Sequence, residues 1–128
     1  MSELDKIESL LVSLSLTYEK IDNQTWLIDD REKGIENVLI ISETPVVIIR
    51  VQVTSLPPKN NELLFEELLR LNQSDLMHGA YALDGNDIIL INTLVIQTLD
   101  QEELQATLDS ISLAIVEHYE KLAKFFDH

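Results

Sequence analysis

A hairpin that is apolar on both sides constrains the fold of this chain more than any other feature of its sequence. The segment 83–88 reads Leu-Asp-Gly-Asn-Asp-Ile, and its Gly85 and Asn86 accept the positive φ of a tight turn. Because side chains alternate along a strand, a two-residue turn gives the hairpin two distinct faces. One face carries Tyr81, Leu83, Ile88 and Leu90, and the opposite face carries Ala80, Ala82, Ile89 and Ile91. A single layer of helices can bury only one of these faces.

The segment 46–55 is predicted to be a half-buried antiparallel strand. Its side chains divide by parity: one side carries Val47, Ile49, Val51 and Val53, and the other carries Arg50, Gln52 and Thr54. Further strands are predicted at 26–28 and 36–42.

Three segments have the three- and four-residue spacing of apolar side chains that is typical of amphipathic helices. The first is predicted to begin at Ser2 and to continue through Tyr18 toward the turn-prone pair Asp22-Asn23. This stripe includes Leu4, Ile7, Leu11 and Leu14.

The second helix is predicted to follow Asn60 or Asn61, and the third to follow Asp100, where Glu103 completes a capping box. The element order is therefore α-β-β-β-α-β-β-α. This order indicates an α+β fold, in which helices cover one side of an antiparallel sheet. At this length the chain is expected to form one domain, residues 1–128.

The charge of the chain excludes several classes of partner. It has 23 acidic and 9 basic side chains, a formal net charge of −14. A field of this sign repels phosphates and anionic lipid, so neither nucleic acid nor a membrane is an expected partner. The absence of cysteine excludes disulfides, thiolate metal sites and a cysteine nucleophile. The first residues lack the basic flank and apolar run of a secretory signal, so we expect a cytoplasmic protein.

No catalytic, cofactor-binding or metal-binding residue is predicted. The three histidines are scattered at positions 78, 118 and 128, and the sequence has no nucleophile elbow. The stretch 84–87 superficially resembles an acidic calcium loop, but the next residues, 88–91, are apolar and supply no further oxygen ligands. The glycines are too far apart to form a phosphate-binding loop.

The doubly apolar hairpin predicts a surface for self-association or for a partner protein. Ala80 and Ala82 are small enough to let a helix approach closely, so the opposite set is expected to face outward. The predicted surface comprises Tyr81, Leu83, Ile88 and Leu90, with Arg50 and Gln52 from the strand at 46–55. In the alternative, the second helix crosses to that face and buries it.

Four stretches carry a resemblance to a known family. They are Leu68-Leu69-Arg70-Leu71-Asn72, His78-Gly79-Ala80-Tyr81-Ala82-Leu83-Asp84-Gly85, Ile88-Ile89-Leu90 and Leu99-Asp100-Gln101-Glu102-Glu103-Leu104. Together they resemble the YbjN-like domain, which shares its fold with the class I chaperones of bacterial type III secretion. The resemblance implies a homodimeric α/β sandwich with an acidic surface that binds an extended polypeptide segment.

We therefore expect a non-enzymatic, chaperone-like module that holds a partner polypeptide as a homodimer and uses no cofactor. Its charge favours a basic or extended segment in the partner. Two alternatives stay open. One is a regulatory adaptor in a stress or signalling pathway, and the other is a small-ligand carrier or minor enzyme. The latter requires a concave site that contains His78 or His118 with converging carboxylates.

Overall fold

Three helices and a six-stranded antiparallel sheet form the structure, a computed structural model that describes residues 3–76 and 78–126, with backbone alone at 3–5. The helices are α1 (Glu3–Ser13), α2 (Glu62–Ser74) and α3 (Gln101–Ala123). The strands are β1 (Tyr18–Asp22), β2 (Thr25–Asp30), β3 (Ile35–Glu43), β4 (Val46–Ser55), β5 (Ala80–Asp84) and β6 (Asp87–Val95). Their order across the sheet is β1-β2-β3-β4-β6-β5, with β1 and β5 at the edges. The α+β fold class is confirmed.

The predicted element order lacks one strand, because the first helix ends earlier than its apolar spacing indicates. α1 stops at Ser13, and Ser15 adopts a φ of 56°, which a continuing right-handed helix does not allow. Tyr18, which was expected on the stripe of the first helix, instead begins β1 and pairs with Ile28 of β2. Leu11 is buried as the helical stripe predicts.

One continuous core joins the helices to one face of the sheet. Buried side chains of α1, α2 and α3 pack together with buried side chains of the strands. The strand contribution comes from Trp26, Ile28, Ile35, Val38, Ile40, Val47, Ile49, Val51, Tyr81, Ile88 and Leu90. We call this side of the sheet the helix face.

The hairpin has the predicted two-residue turn and register, although only Gly85 of the two turn residues has a positive φ, 60°. The prediction of its outward face is wrong. Tyr81, Ile88 and Leu90 are 6%, 0% and 0% exposed and lie on the helix face. Leu83 has the same parity but lies beside the turn, where it is 48% exposed. The cause is the pairing of β6 with β4: Leu90 lies opposite Val51, so both side chains point toward the helices.

The parity predicted for β4 holds as far as Gln52. The register between β4 and β6 shifts between Gln52 and Thr54, and Thr54 pairs with Ile88 of the helix face. An extra residue in one strand reverses the direction of the side chains that follow it. Thr54 therefore does not share a face with Arg50 and Gln52, as the uninterrupted alternation had predicted.

Local capping agrees with the predicted helix starts. The Asp100 carboxylate accepts a hydrogen bond from the Glu103 backbone N–H at 2.8 Å, which satisfies one of the free donors at the start of α3. Asn61 is the cap residue of α2, and the Asn60 side chain accepts from the Glu62 N–H at 3.1 Å.

We expect Gly79→Ala to destabilise the fold more than Gly85→Ala. Both glycines have positive φ, 83° and 60°, so both substitutions should cost about 1–2 kcal/mol of unfolding free energy. A Cβ at position 79 would also lie 2.6 Å from the Ile91 carbonyl oxygen, whereas position 85 opens to space. Relief of that clash should add about 1–3 kcal/mol. Urea denaturation of the two variants measures the difference, and equal losses would contradict the close approach.

Candidate partner-binding surface

The face of the sheet opposite the helix face carries rows of aliphatic side chains. In the first row, register pairing joins Leu27, Leu39, Arg50, Ile91 and Ala80 across five strands. A second row joins Thr25, Ile41, Ile48 and Thr93, and a third joins Gln52, Ile89 and Ala82. Five strands at a spacing of about 4.8 Å make the first row roughly 19 Å wide. We call these three rows the open face.

Among the described residues, the helices pack in the core of the helix face, which includes none of the open-face side chains. Leu39, Ile48 and Ile91 are half-buried, and Ile89 is only 4% exposed. Ile89 is nevertheless outside the core cluster that includes its neighbours Ile88 and Leu90. The apolar rows of the open face therefore lie outside the core of the helix face.

The charges of the open face are predominantly acidic. Its cation, Arg50, is paired with Asp84 at 2.7 Å between Nη2 and Oδ2. Asp84 lies opposite Asp87 at the hairpin end, and Glu19 lies opposite Leu27 at the β1 edge. The apolar rows thus have carboxylates at two of their margins.

Two of the six residues predicted for a partner surface lie on the open face. Arg50 and Gln52 are in its rows. Tyr81, Ile88 and Leu90 point the opposite way, into the core, and Leu83 lies exposed at the hairpin end. The sequence analysis missed the aliphatic residues Leu27, Leu39, Ile41 and Ile48. Their signal was available, because the runs 38–41 and 46–49 are apolar at both parities, as the hairpin is.

The edge strand β5 is closed at its centre by a side chain of α2. The Asn72 amide accepts from the Tyr81 backbone N–H at 2.7 Å and donates to the Tyr81 carbonyl at 3.2 Å. These are the two backbone groups that an added strand would use, so Asn72 occupies this position of the edge. Asn72 belongs to one of the four stretches that carry the family resemblance.

A buried polar network joins β5 to α3 and to the end of α2. The Tyr81 hydroxyl is 2.7 Å from Nδ1 of His118, which is 2% exposed. Nε2 of His118 is 3.5 Å from the Asp75 carboxylate, and Lys121 Nζ is 3.3 Å from the same oxygen. The hydrogen bond from the Ser74 hydroxyl and the nearby Lys121 lower the pKa of Asp75. Burial raises the pKa of Tyr81 to about 12.

The other described histidine has a different partner. Nδ1 of His78 is 2.8 Å from the Ser110 hydroxyl of α3. Within residues 3–76 and 78–126, no three His, Asp or Glu side chains are grouped so that they could hold one metal ion. Across the same residues, no helix combines the length and the apolar character needed to cross a membrane.

Comparison with known proteins identifies the family. The family profile CesT_Tir_1 matches residues 1–128. This chain belongs to the CesT_Tir_1 family of type III secretion chaperones. The predicted resemblance is thereby confirmed. No curated protein sequence matches the chain significantly.

Solved structures place this CesT_Tir_1 family member in the same fold as three distant proteins. YbjN from E. coli has a TM-score of 0.67 and 16% identity, with 92% of each chain covered. The structure of the ExoU-SpcU complex from the type III secretion system of Pseudomonas aeruginosa has a TM-score of 0.70 and 16% sequence identity, and the match covers 93% of this chain and 96% of that one. The structure of the HopA1-SchA chaperone-effector complex has a TM-score of 0.65 and 10% sequence identity, with 91% of each chain covered.

We expect the unfolding free energy to fall as the pH rises from about 10 to about 12, because Tyr81 keeps its proton in the folded state above its ordinary pKa of 10.0. In the unfolded chain Tyr81 loses that proton first, which favours unfolding over this interval. Tyr81→Phe should remove this part of the pH dependence. Denaturation at several alkaline pH values tests it, with Tyr119→Phe as an exposed control; an unchanged slope in Tyr81→Phe would contradict the assignment.

Proposed function

We propose that this protein is a non-enzymatic, chaperone-like module that works in the cytoplasm and holds an extended segment of a partner polypeptide on its open face. The observation that carries the proposal is the set of aliphatic rows opposite the helix face. An apolar layer of this width on a chain of this size is a typical interaction surface. The layer has strand periodicity, which suits an extended segment whose alternate side chains contact it.

The partner segment is expected to combine apolar and basic residues. Arg50 is already neutralised by Asp84, and carboxylates stand at the hairpin margin and the β1 margin of the rows. The formal net charge of −14 extends this preference over a longer range. Complementary charge speeds the encounter with a basic segment and disfavours acidic ones.

Two of the structural relatives support a protein partner. SpcU is solved in a heterodimeric complex with ExoU, and SchA in a chaperone-effector complex with HopA1. The present chain has the same fold as these structures, and the CesT_Tir_1 family profile matches it over residues 1–128. Binding of another polypeptide is therefore the function that this architecture supports best.

We further propose that the protein is a homodimer and that the outer side of α2 forms the interface. Leu63 and Leu69 on this helix are 70% and 68% exposed. Between them lies an ion pair of Glu66 with Arg70, at 2.7 Å. A two-fold axis across this side of α2 would bring Leu63 and Leu69 of the two copies together. Glu66 of one copy could then pair with Arg70 of the other. This location keeps the open face of each copy accessible.

The regulatory adaptor remains the alternative that differs in its partner. An adaptor binds one folded protein in a fixed ratio, whereas a chaperone-like module binds an unfolded segment. Titration with a short peptide separates the two, because a folded epitope is not reproduced by an isolated segment.

We expect Ile48→Glu to abolish binding of a peptide that alternates Lys and Val. The substitution places a charge in the middle of the second row, next to Ile41 and Thr93. A buried unpaired carboxylate there is costly, and affinity should drop by about tenfold or more. Fluorescence anisotropy of the labelled peptide measures the loss.

The control for this experiment is Val116→Glu, which makes the same change in charge on α3 at a side chain that is 73% exposed. Its affinity should match that of the unmodified protein. Peptides that alternate Glu with Val, or Lys with Ser, should bind weakly. Equal binding of all three peptides, or equal affinity of the two variants, would refute the open face as the binding surface.

We expect Leu69→Glu to convert the homodimer into a monomer. The substitution places a carboxylate beside Glu66 on a helix face that would meet its own copy, so like charges would repel across the interface. Sedimentation equilibrium at micromolar concentration reports the mass, and Ile48→Glu should remain dimeric. A protein that is monomeric before any substitution would contradict the dimer without affecting the peptide result.

A further inference from the structure

A concave site lies on the helix side of the sheet, between the end of α3 and residues of β4 and β5. The cavity has a volume of about 280 Å³. Its walls include Val53 and Thr54 of β4, Tyr81 of β5, Ile115 and Tyr119 of α3, and Phe126 beyond the helix. It is separate from the open face, because Tyr81 points away from that face.

The lining of this cavity is neutral and mostly apolar. Among the residues that the structure describes, the lining includes no Asp, Glu, Lys, Arg or His side chain. Three aromatic rings line it, and aromatic rings favour edge-to-face or offset contact with another ring. In a protein with a formal net charge of −14, this lining favours a neutral occupant, because a charged one would lose hydration without gaining an opposite charge from the described lining.

Two hydroxyl groups in the lining are available to an occupant. Among residues 3–76 and 78–126, neither the Thr54 hydroxyl nor the Tyr119 hydroxyl has a hydrogen-bond partner. The Tyr81 hydroxyl is held by His118, which is oriented in turn by Asp75. A pocket with apolar walls and a small number of polar groups is the usual composition of a small-molecule site.

We propose that this cavity binds a small, neutral aromatic molecule with one hydrogen-bonding group, of the size of phenol or indole. The volume is just below the range of about 300–1,000 Å³ that is typical for drug-sized ligands, so one ring or a fused pair of rings fits. The aromatic walls contact the ring, and the Thr54 or Tyr119 hydroxyl pairs with its polar group. This site is independent of the proposed binding of a polypeptide.

The test is a titration of the full chain with indole, phenol and benzoate, monitored by two-dimensional NMR. Indole and phenol should shift signals of residues around the cavity, and benzoate should bind about tenfold more weakly because its charge must be desolvated. Ala123→Phe fills the cavity from α3 and should weaken indole binding by about tenfold or more. Ala106→Phe makes the same change at an exposed position of the same helix and should leave binding unchanged.

Thr54→Val removes one hydroxyl at nearly constant side-chain volume. It should weaken the binding of phenol and leave the binding of toluene, which has no hydroxyl, unchanged. The proposal is overturned if indole and phenol do not bind, if Ala123→Phe and Ala106→Phe bind indole equally, or if benzoate binds as well as phenol. It is also overturned if only a tryptophan-containing peptide binds and the free ring does not, since the site then serves a polypeptide. Peptide binding at the open face is measured in parallel and should be unaffected by Ala123→Phe.

Discussion

The structure depends on one geometrical constraint: three helices form a single layer, and a single layer can cover one face of a six-stranded sheet. Strand side chains alternate, so half of each strand faces the helices and half does not. In most antiparallel sheets of this kind the second half is polar. Here Leu39, Ile48 and Ile91 are on that side, and the sheet is apolar on both faces. The surplus apolar surface is what sets this chain apart from an ordinary α+β domain.

The helix face is held to the rest of the fold by more than apolar packing. The Asn72 side chain is hydrogen-bonded to the backbone of Tyr81 in β5, and the hydroxyl of the same tyrosine is hydrogen-bonded to His118 of α3. The imidazole then faces Asp75, the residue that ends α2. Buried polar groups of this kind are costly when unpaired, so they specify one arrangement of the two helices and the edge strand. The hairpin therefore cannot expose Tyr81 without leaving several buried groups unsatisfied.

The two sides of the sheet offer different chemistry to a partner. The open face has aliphatic rows with carboxylates at two of its margins, and this suits an extended basic segment. The cavity beside Tyr119 is concave and mostly apolar, and three aromatic rings line it. Polypeptide binding and small-molecule binding would therefore take place on opposite sides of one sheet. The fold is shared with proteins as different as E. coli YbjN and SpcU, so the site residues, and not the fold, must decide what is bound.

The sequence by itself determined the local structure: the Gly85-Asn86 turn, the Asp100 cap, the strand 46–55 and the presence of more apolar surface than one helical layer can bury. These features follow from neighbouring residues. Tertiary structure decided which surface is left uncovered, because the two faces of a hairpin are equivalent until Leu90 is paired with Val51. It also decided that Tyr18 begins a strand and that Tyr81 meets His118, 37 residues away. Pairing between distant segments selects among local patterns that are each acceptable alone, and no short stretch of sequence contains that choice.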